Sequence, residues 1–371
     1  MKVLFQIRQG YEKGAAGDSM QMLKTMQHLA QMGVGVSISA SAGEDLKKYD
    51  IVHIFNVTRI NESYAFYKNA AAQKKKIVVS PIFVDMGRYL GSIGAVRLAA
   101  WRSANLLRRE VLAGASMLLP NSQLEAEWIQ KILCVDTPCQ VIHNGVDGYM
   151  AEGDGQKFTA RYGLKDFLLC VGRLSPIKNQ LGLIRAVRDL HLPLVLIGPV
   201  NDFKYAKRCA EEGMGLVKYL PGMSHRELAN AYKASALHIQ PSFFETAGLS
   251  GLEAAAAGTR VVASNRGAAR EYFGDLVSYV DPYDEESIRR TVEETLKRPF
   301  PDELKRHVLD SFTWADAAEK TLKAYRAVLE GPSDAPGRSE ILFTSEYNLS
   351  CGKEPFRSGS GGSSGALPAD G

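Results

Sequence analysis

Short apolar, β-branched runs alternate along this chain with longer stretches in which apolar residues recur every three or four positions. Residues 2–7 (KVLFQI) read as a strand. After a glycine-bearing loop at 10–17, Met22, Leu23, Met26, Leu29 and Ala30 recur at helical spacing over about 18–32. Strand-like runs return at 50–55 (DIVHIF), 76–80 (KIVVS), 116–119 (MLLP) and 140–143 (QVIH). Such alternation predicts a parallel sheet with helices on both faces. The rhythm pauses at 144–166, which carry five glycines and no strand signal. A second series then runs through 167–172 (FLLCVG), 193–198 (PLVLIG), 215–219 (GLVKY), 237–241 (LHIQP), 260–264 (RVVAS) and 277–280 (VSYV). Residues 313–330 predict a last helix, and 20 of the 41 residues after it are Gly, Pro or Ser. The expected organisation is an α/β domain over 1–148, a linker over 149–166, a second α/β domain over 167–312, a helix over 313–330 and a flexible tail over 331–371, its end (358–371) resembling linker or fusion sequence.

Composition agrees with two domains, since 371 residues is about two and a half times the ~150-residue domain prior. Lys and Arg (45) exceed Asp and Glu (41) by only four, which argues against a dedicated nucleic-acid binder. The first residues hold too short an apolar stretch for a signal peptide, and no run approaches the ~18 apolar residues of a membrane span. The five cysteines are scattered and odd in number, with no paired His/Cys set that suggests a metal site. The expectation is a reduced, cytoplasmic protein. One segment, 97–109 (RLAAWRSANLLRR), sets Arg97, Arg102, Arg108 and Arg109 beside Leu98, Trp101 and Leu106. It reads either as a basic amphipathic helix for an anionic membrane surface or as an ordinary half-buried helix.

Candidate chemistry concentrates in loops that follow strands of the second series, where open α/β sheets bind ligands. In Gly172-Arg173-Leu-Ser-Pro-Ile-Lys178, where Lys178 is expected to start a helix over 178–190, a forked guanidinium and a point-charge ammonium suit a diphosphate, although two solvated cations would give the same spacing. Both lie on polar loop, so removing either is expected to leave the melting temperature almost unmoved. In Ser242-Phe-Phe-Glu245-Thr-Ala-Gly-Leu-Ser-Gly-Leu-Glu253, eight residues of helical rise would put the α-carbons of Glu245 and Glu253 up to ~12 Å apart. That is beyond the roughly 5–9.5 Å separating a glycosidase carboxyl pair. Two carboxylates accepting hydroxyl hydrogen bonds from opposite ends of one long ligand fit better, as do one loop and one surface glutamate without function. Gly248 would let backbone approach such a ligand closely. Leu220-Pro-Gly222-Met223-Ser224 leads into a helix capped by Ser224. His53, inside an apolar strand, reads as a core histidine, and His143 as a turn or a site residue.

Taken together, these residues resemble glycosyltransferase family 4, retaining nucleotide-sugar enzymes of the GT-B fold with two Rossmann-like domains facing a cleft. The resemblance spans about residues 1–330. It rests on the Glu245-x7-Glu253 spacing, Gly172-Arg173 with Lys178, His143-Asn-Gly-Val-Asp147 and Pro120-Asn-Ser122. It implies an acceptor-side first domain and a donor-side second domain, with the 313–330 helix crossing back to the first. Arg173 and Lys178 would hold the donor diphosphate and stabilise the leaving group, with Glu245 as the third catalytic residue, on the sugar hydroxyls. Glu253 would take the ribose, Thr246, Ala247, Gly248 and Leu249 would line sugar and phosphates, Gly222 and Met223 the base, and Gly17 would face the phosphates from across the cleft. The implied reaction is front-face transfer to a glycan, lipid-linked or small-glycoside hydroxyl, without metal or cofactor. UDP is favoured over GDP as carrier. Three departures stand out: Glu245-Thr-Ala-Gly248 replaces the common Glu-Gly-Phe-Gly, residues 77–90 lack the frequent histidine, and Ala16-Gly17 stands where two glycines are common. The rival expectations are a nucleotide-sugar epimerase of the same shape and a two-domain binding protein without chemistry.

Overall fold

The computed structural model describes residues 1–13, 17–299 and 302–331. Gly14, Ala15 and Ala16 of the first loop and residues 332–371 of the tail lie outside the described residues. The first half orders as β1 (Lys2–Gln6), α1 (Gly17–Gln31), β2 (Gly35–Ser39), β3 (Ile51–Phe55), α2 (Ile60–Ala72), β4 (Lys76–Ser80), α3 (Gly87–Ile93), α4 (Ala95–Ser103), α5 (Asn105–Ala113), β5 (Met117–Leu118) and α6 (Gln123–Leu133). The second continues as α7 (Gly155–Tyr162), β6 (Leu168–Val171), α8 (Gln180–Val187), β7 (Leu194–Ile197), α9 (Phe203–Glu212), β8 (Val217–Leu220) and α10 (His225–Ala234). It closes with β9 (Leu237–Gln240), α11 (Leu249–Ala256), β10 (Val261–Ser264), α12 (Ala269–Phe273), β11 (Ser278–Val280), α13 (Glu285–Leu296), α14 (Asp302–Ser311) and α15 (Trp314–Glu330).

The strands form two wholly parallel sheets, ordered β2-β1-β3-β4-β5 and β11-β10-β9-β6-β7-β8. Successive strand residues point to opposite faces, so each sheet feeds two cores. Val3 and Phe5 meet α1 and α15 on one side, while Leu4, Ile54 and Val79 meet α2, α5 and α6 on the other. In the second sheet Leu169, Val195 and Ile197 face α10 and α11, and Leu168, Cys170 and Leu196 face α8 and α13. The last helix starts beside the second sheet, where Val146 N donates to Phe312 O at 2.9 Å. It then buries Trp314, Ala318 and Tyr325 in the first core.

Four sequence expectations change. The strand β2 escaped the pattern because GVSIS is a half-exposed edge without an apolar run. Residues 140–143 make no strand. Gln140 N and Ile142 N donate to Leu118 O and Pro120 O, but Pro120 has no N–H to return, so the ladder stops after an isolated bridge. The expected helix over 178–190 is shorter: a 3-10 turn at Pro176–Lys178 precedes α8, and another at Arg188–Leu190 follows it. Residues 149–166 are not irregular throughout, because a 3-10 helix (Gly148–Glu152) and α7 fill much of the stretch.

His53 is the core histidine its setting predicts. Tyr325 Oη lies 2.6 Å from Nδ1 and Ser80 Oγ 2.9 Å from Nε2. Burial lowers both His53 and the fully buried His238 to about 3, whereas burial raises the Glu125 carboxyl to about 7. Between pH 4.5 and 6.5 the unfolded chain therefore binds two protons at the histidines that the folded chain refuses, and the folded chain keeps one at Glu125. The protons refused at the two histidines outweigh the one kept at Glu125, so stability should fall on acidification across this window. Urea titrations at pH 5 and 6.5 should show that loss, and equal midpoints would contradict it.

Candidate functional site

The order of the second sheet reverses between β6 and β9, so the loops leaving these two strands are neighbours at the carboxyl edge. That is the position at which open α/β sheets hold ligands. The first loop carries Arg173 and Lys178, the second Glu245, and Phe243 N donates to Ile177 O at 2.9 Å to join them. Arg173 is exposed at the crevice mouth, its carbonyl fixed by Gln180 Nε2 at 3.0 Å. Lys178 sits in the 3-10 turn rather than in a helix, and its ammonium donates to Glu245 Oε1. Ser242 Oγ donates to the same oxygen at 2.7 Å. The side chains of this ion pair are only 23% and 14% exposed, so Lys178 is not the free loop cation the sequence suggests. Removing it would strip a largely buried carboxylate of its counter-ion.

Two glycines are required by geometry. Gly267 has φ 126° and pairs with Glu245 across an isolated bridge, and a Cβ there would stand 2.1 Å from Glu245 O. Gly248 caps α11 in the left-handed region, at φ 63°, with Gln240 Oε1 2.7 Å from where its Cβ would be. The chain thereby passes from Glu245 through Thr246 and buried Ala247 into the first turn of α11, whose early N–H groups lack intrahelical partners. One helical face on, Glu253 Oε2 accepts from Tyr232 Oη at 2.9 Å, and His225 Nδ1 lies 3.2 Å from Oε1. Gly222 is exposed after β8 and Met223 packs on the core beneath it. Ser224 closes the expected cap of α10 as a full capping box with Glu227.

The first domain faces this edge directly. Leu249 packs against the cores of both domains, and a Cβ on Gly17 at the start of α1 would lie 3.9 Å from Leu249 Cδ1. Tyr89 stacks on Phe243 at 5.2 Å between centroids, and the Arg88 guanidinium lies 4.2 Å from the Tyr283 ring centroid. Glu271 of α12 accepts from Gln123 N at 2.7 Å, the first N–H of α6, and lies 2.7 Å from His143 Nε2. His143 is thus a cross-domain tie. At the corresponding reversal of the first sheet, between β1 and β3, Arg8 and Asn56 hold Asp18 at 3.1 and 2.9 Å.

Sequence reasoning brought forward Arg173, Lys178, Glu245, Gly248 and Gly17, which the fold gathers at one cleft, and Glu253 with Gly222 and Met223 one helix farther along. It missed Tyr232, His225, Glu271 and Asp18, which have partners distant in sequence, and Ser242, whose contact with nearby Glu245 depends on how the loop after β9 turns. The segment 97–109 is corrected in one respect. Arg108 is buried, donating to Val57 O and Trp101 O with its guanidinium 3.6 Å from the Trp101 ring centroid, so it belongs to the interior. Among the described residues no helix is long and apolar enough to cross a membrane.

Residues 155–310 match the family model described as glycosyl transferases group 1. The D-inositol 3-phosphate glycosyltransferase of Nocardioides sp. is 31% identical over 253 residues, 58% of this chain and 55% of that protein. The protein of the same name from Mycolicibacterium smegmatis is 32% identical over 260 residues, 64% of this chain and 59% of its own length. The chain thus spans little more than half the length of these relatives. Among solved structures, sucrose-phosphate synthase from Thermosynechococcus elongatus aligns with a TM-score of 0.76 at 16% identity, covering 89% of this chain and 99% of the other. Anabaena HepE, solved in complex with UDP, aligns at 0.70 and 16% identity, covering 88% and 100%. The shared architecture is the GT-B fold.

Proposed function

We propose that this chain, whose residues 155–310 match the family model of glycosyl transferases group 1, moves a sugar from a nucleoside diphosphate to an acceptor hydroxyl with retention at the anomeric carbon. The observation that carries the proposal is the convergence of Lys178 and Glu245 at the β6/β9 reversal, ahead of α11, with Arg173 at its mouth. Breaking the bond from the anomeric carbon to the diphosphate oxygen leaves negative charge on that oxygen and a cation-like sugar. Fixed cations at the first lower the barrier without moving during the reaction. Lys178 can leave Glu245 for the diphosphate, which frees the carboxylate to accept the sugar hydroxyls. The acceptor oxygen then bonds to the same face of the anomeric carbon, and its proton passes to the leaving phosphate oxygen. No protein nucleophile is required.

UDP is the favoured carrier, supported by the HepE likeness. The acceptor, a glycan, lipid or small molecule, would meet the first domain near Arg8, Asp18 and Asn56. The names of the relatives make a phosphorylated cyclitol one acceptor to try. Incubation with a panel of UDP- and GDP-sugars and mixed acceptors should release nucleoside diphosphate from at least one donor, at a rate that EDTA does not change. Nucleotide binding without release would mark a binding protein, and an isomerised sugar nucleotide an epimerase.

The proposed setting is the cytoplasmic face of an anionic membrane. Support comes from α4 and α5, where Val96 and Leu106 are 84% and 76% exposed beside exposed Arg97, Arg102 and Arg109. The protein should float with anionic vesicles and not neutral ones, and Leu106→Asp should weaken flotation. Equal failure with both vesicle types would end the idea.

A further inference from the structure

The carboxylate of Glu253 is held by two residues to which the donor reading gives no task. Tyr232 is fully buried, and its hydroxyl serves one carboxylate oxygen. His225, first residue of the same helix, faces the other oxygen at 3.2 Å. That approach is short but poorly directed, so the sheltered Nδ1 of His225 has no well-aligned hydrogen bond. Met20, Asp147, His225, Leu249 and Glu253 line one small cavity between α1 and α11. The charged groups that face the imidazole are Glu253, Asp147 at the start of the linker helix and Lys24 of α1, the last two paired at 2.7 Å.

We propose that His225 is a positioning residue that holds Glu253 until the donor binds and then yields Glu253 Oε1 to the ribose, losing its proton to solvent in the exchange. The inference rests on the reading of Glu253 as the ribose carboxylate. In the free protein the close contact with the Glu253 carboxylate raises the imidazole's proton affinity, burial opposes this, and the charges of Glu253 and Asp147 outweigh Lys24. Ribose hydroxyls that donate to Oε1 remove that contact, and a ligand over the cavity strips water from the ring. Both changes favour neutral imidazole. A group whose proton affinity drops on binding makes binding tighter as pH rises through its range.

Calorimetry with UDP-glucose and no acceptor tests this, because that diphosphate lacks the monoester oxygen that titrates near pH 6. The dissociation constant should fall about three- to tenfold from pH 5.5 to pH 8. At pH 6.5 the heat should vary with the buffer's ionisation enthalpy in the sense of proton release. In His225→Asn, which keeps a neutral donor toward Oε1, the pH profile should flatten and the buffer dependence vanish. An unchanged profile in His225→Asn, a wild-type profile that is flat, or tighter binding at low pH would overturn the inference while leaving the donor reading intact. If neither UDP-glucose nor GDP-mannose binds at any pH, or Glu253→Gln binds as well as wild type, the donor reading itself fails and the inference with it.

Discussion

Replacing Lys178 by alanine should slow nucleoside diphosphate release about a hundredfold or more. In the proposed reading its ammonium stabilises the charge that develops on the diphosphate, and removing one preorganised group of that kind costs roughly 10²–10³ in rate. The fold should also suffer, because Glu245 is mostly shielded from water and loses its partner. Arg173→Ala separates the two effects. Arg173 is exposed and has no ion-pair partner among the described residues, so its loss should lower the rate with a melting temperature near wild type. Turnover measured beside thermal unfolding checks both variants, and near-normal release by Lys178→Ala would refute the diphosphate assignment.

The largest effect on stability is expected at Glu125, in the first turn of α6. Its side chain is buried and accepts from Phe83 N at 2.8 Å and Asn121 N at 2.7 Å. Ser122 caps the helix by accepting from Glu125 N, but the glutamate reaches past it to the loop after β4. There Ile82, a β-branched residue, is held at φ 51°, where such residues are strained. Alanine would leave two buried N–H groups unsatisfied at about 1–3 kcal/mol each and release the strained turn. The expected loss is roughly 3–5 kcal/mol, with a smaller loss for Glu125→Gln, which keeps one accepting oxygen. Since this loop leads into α3 and Tyr89, release rates should fall as well. Unfolding titrations that place Glu125→Ala within 1 kcal/mol of wild type would contradict this account of the loop, given that surface substitutions move stability by about half that.

Much of this was legible in the order of residues. The alternation of apolar runs predicts both sheets, the 3.6-residue period predicts α1 and α15, and the Ser224 cap needs only local chemistry. Arg173, Lys178, Glu245 and Glu253 stand out because polar residues of those types follow strands. The partnerships were not legible. Lys178 meets Glu245, 67 positions away, only because β9 pairs with β6 across a reversal of strand order. His143 with Glu271 and Glu125 with Phe83 depend likewise on which loops the topology makes neighbours. Arg108 misled for another reason: a guanidinium can be buried when carbonyls and an aromatic face satisfy it, and spacing on a helix carries no sign of that.

In the proposed reading the donor lies with its sugar at Glu245 and its ribose at Glu253. Calorimetry with free nucleoside diphosphate, beside a transfer assay, reads that orientation directly. Losing a carboxylate that accepts hydroxyl hydrogen bonds costs about 1.5–3 kcal/mol, roughly ten- to a hundredfold. Glu253→Gln should weaken nucleoside diphosphate and nucleotide sugar by similar factors of that size. Glu245→Gln should leave the free diphosphate nearly as tightly bound as in wild type while transfer falls. Loss of diphosphate binding in Glu245→Gln with binding retained in Glu253→Gln would mean the donor lies the other way round.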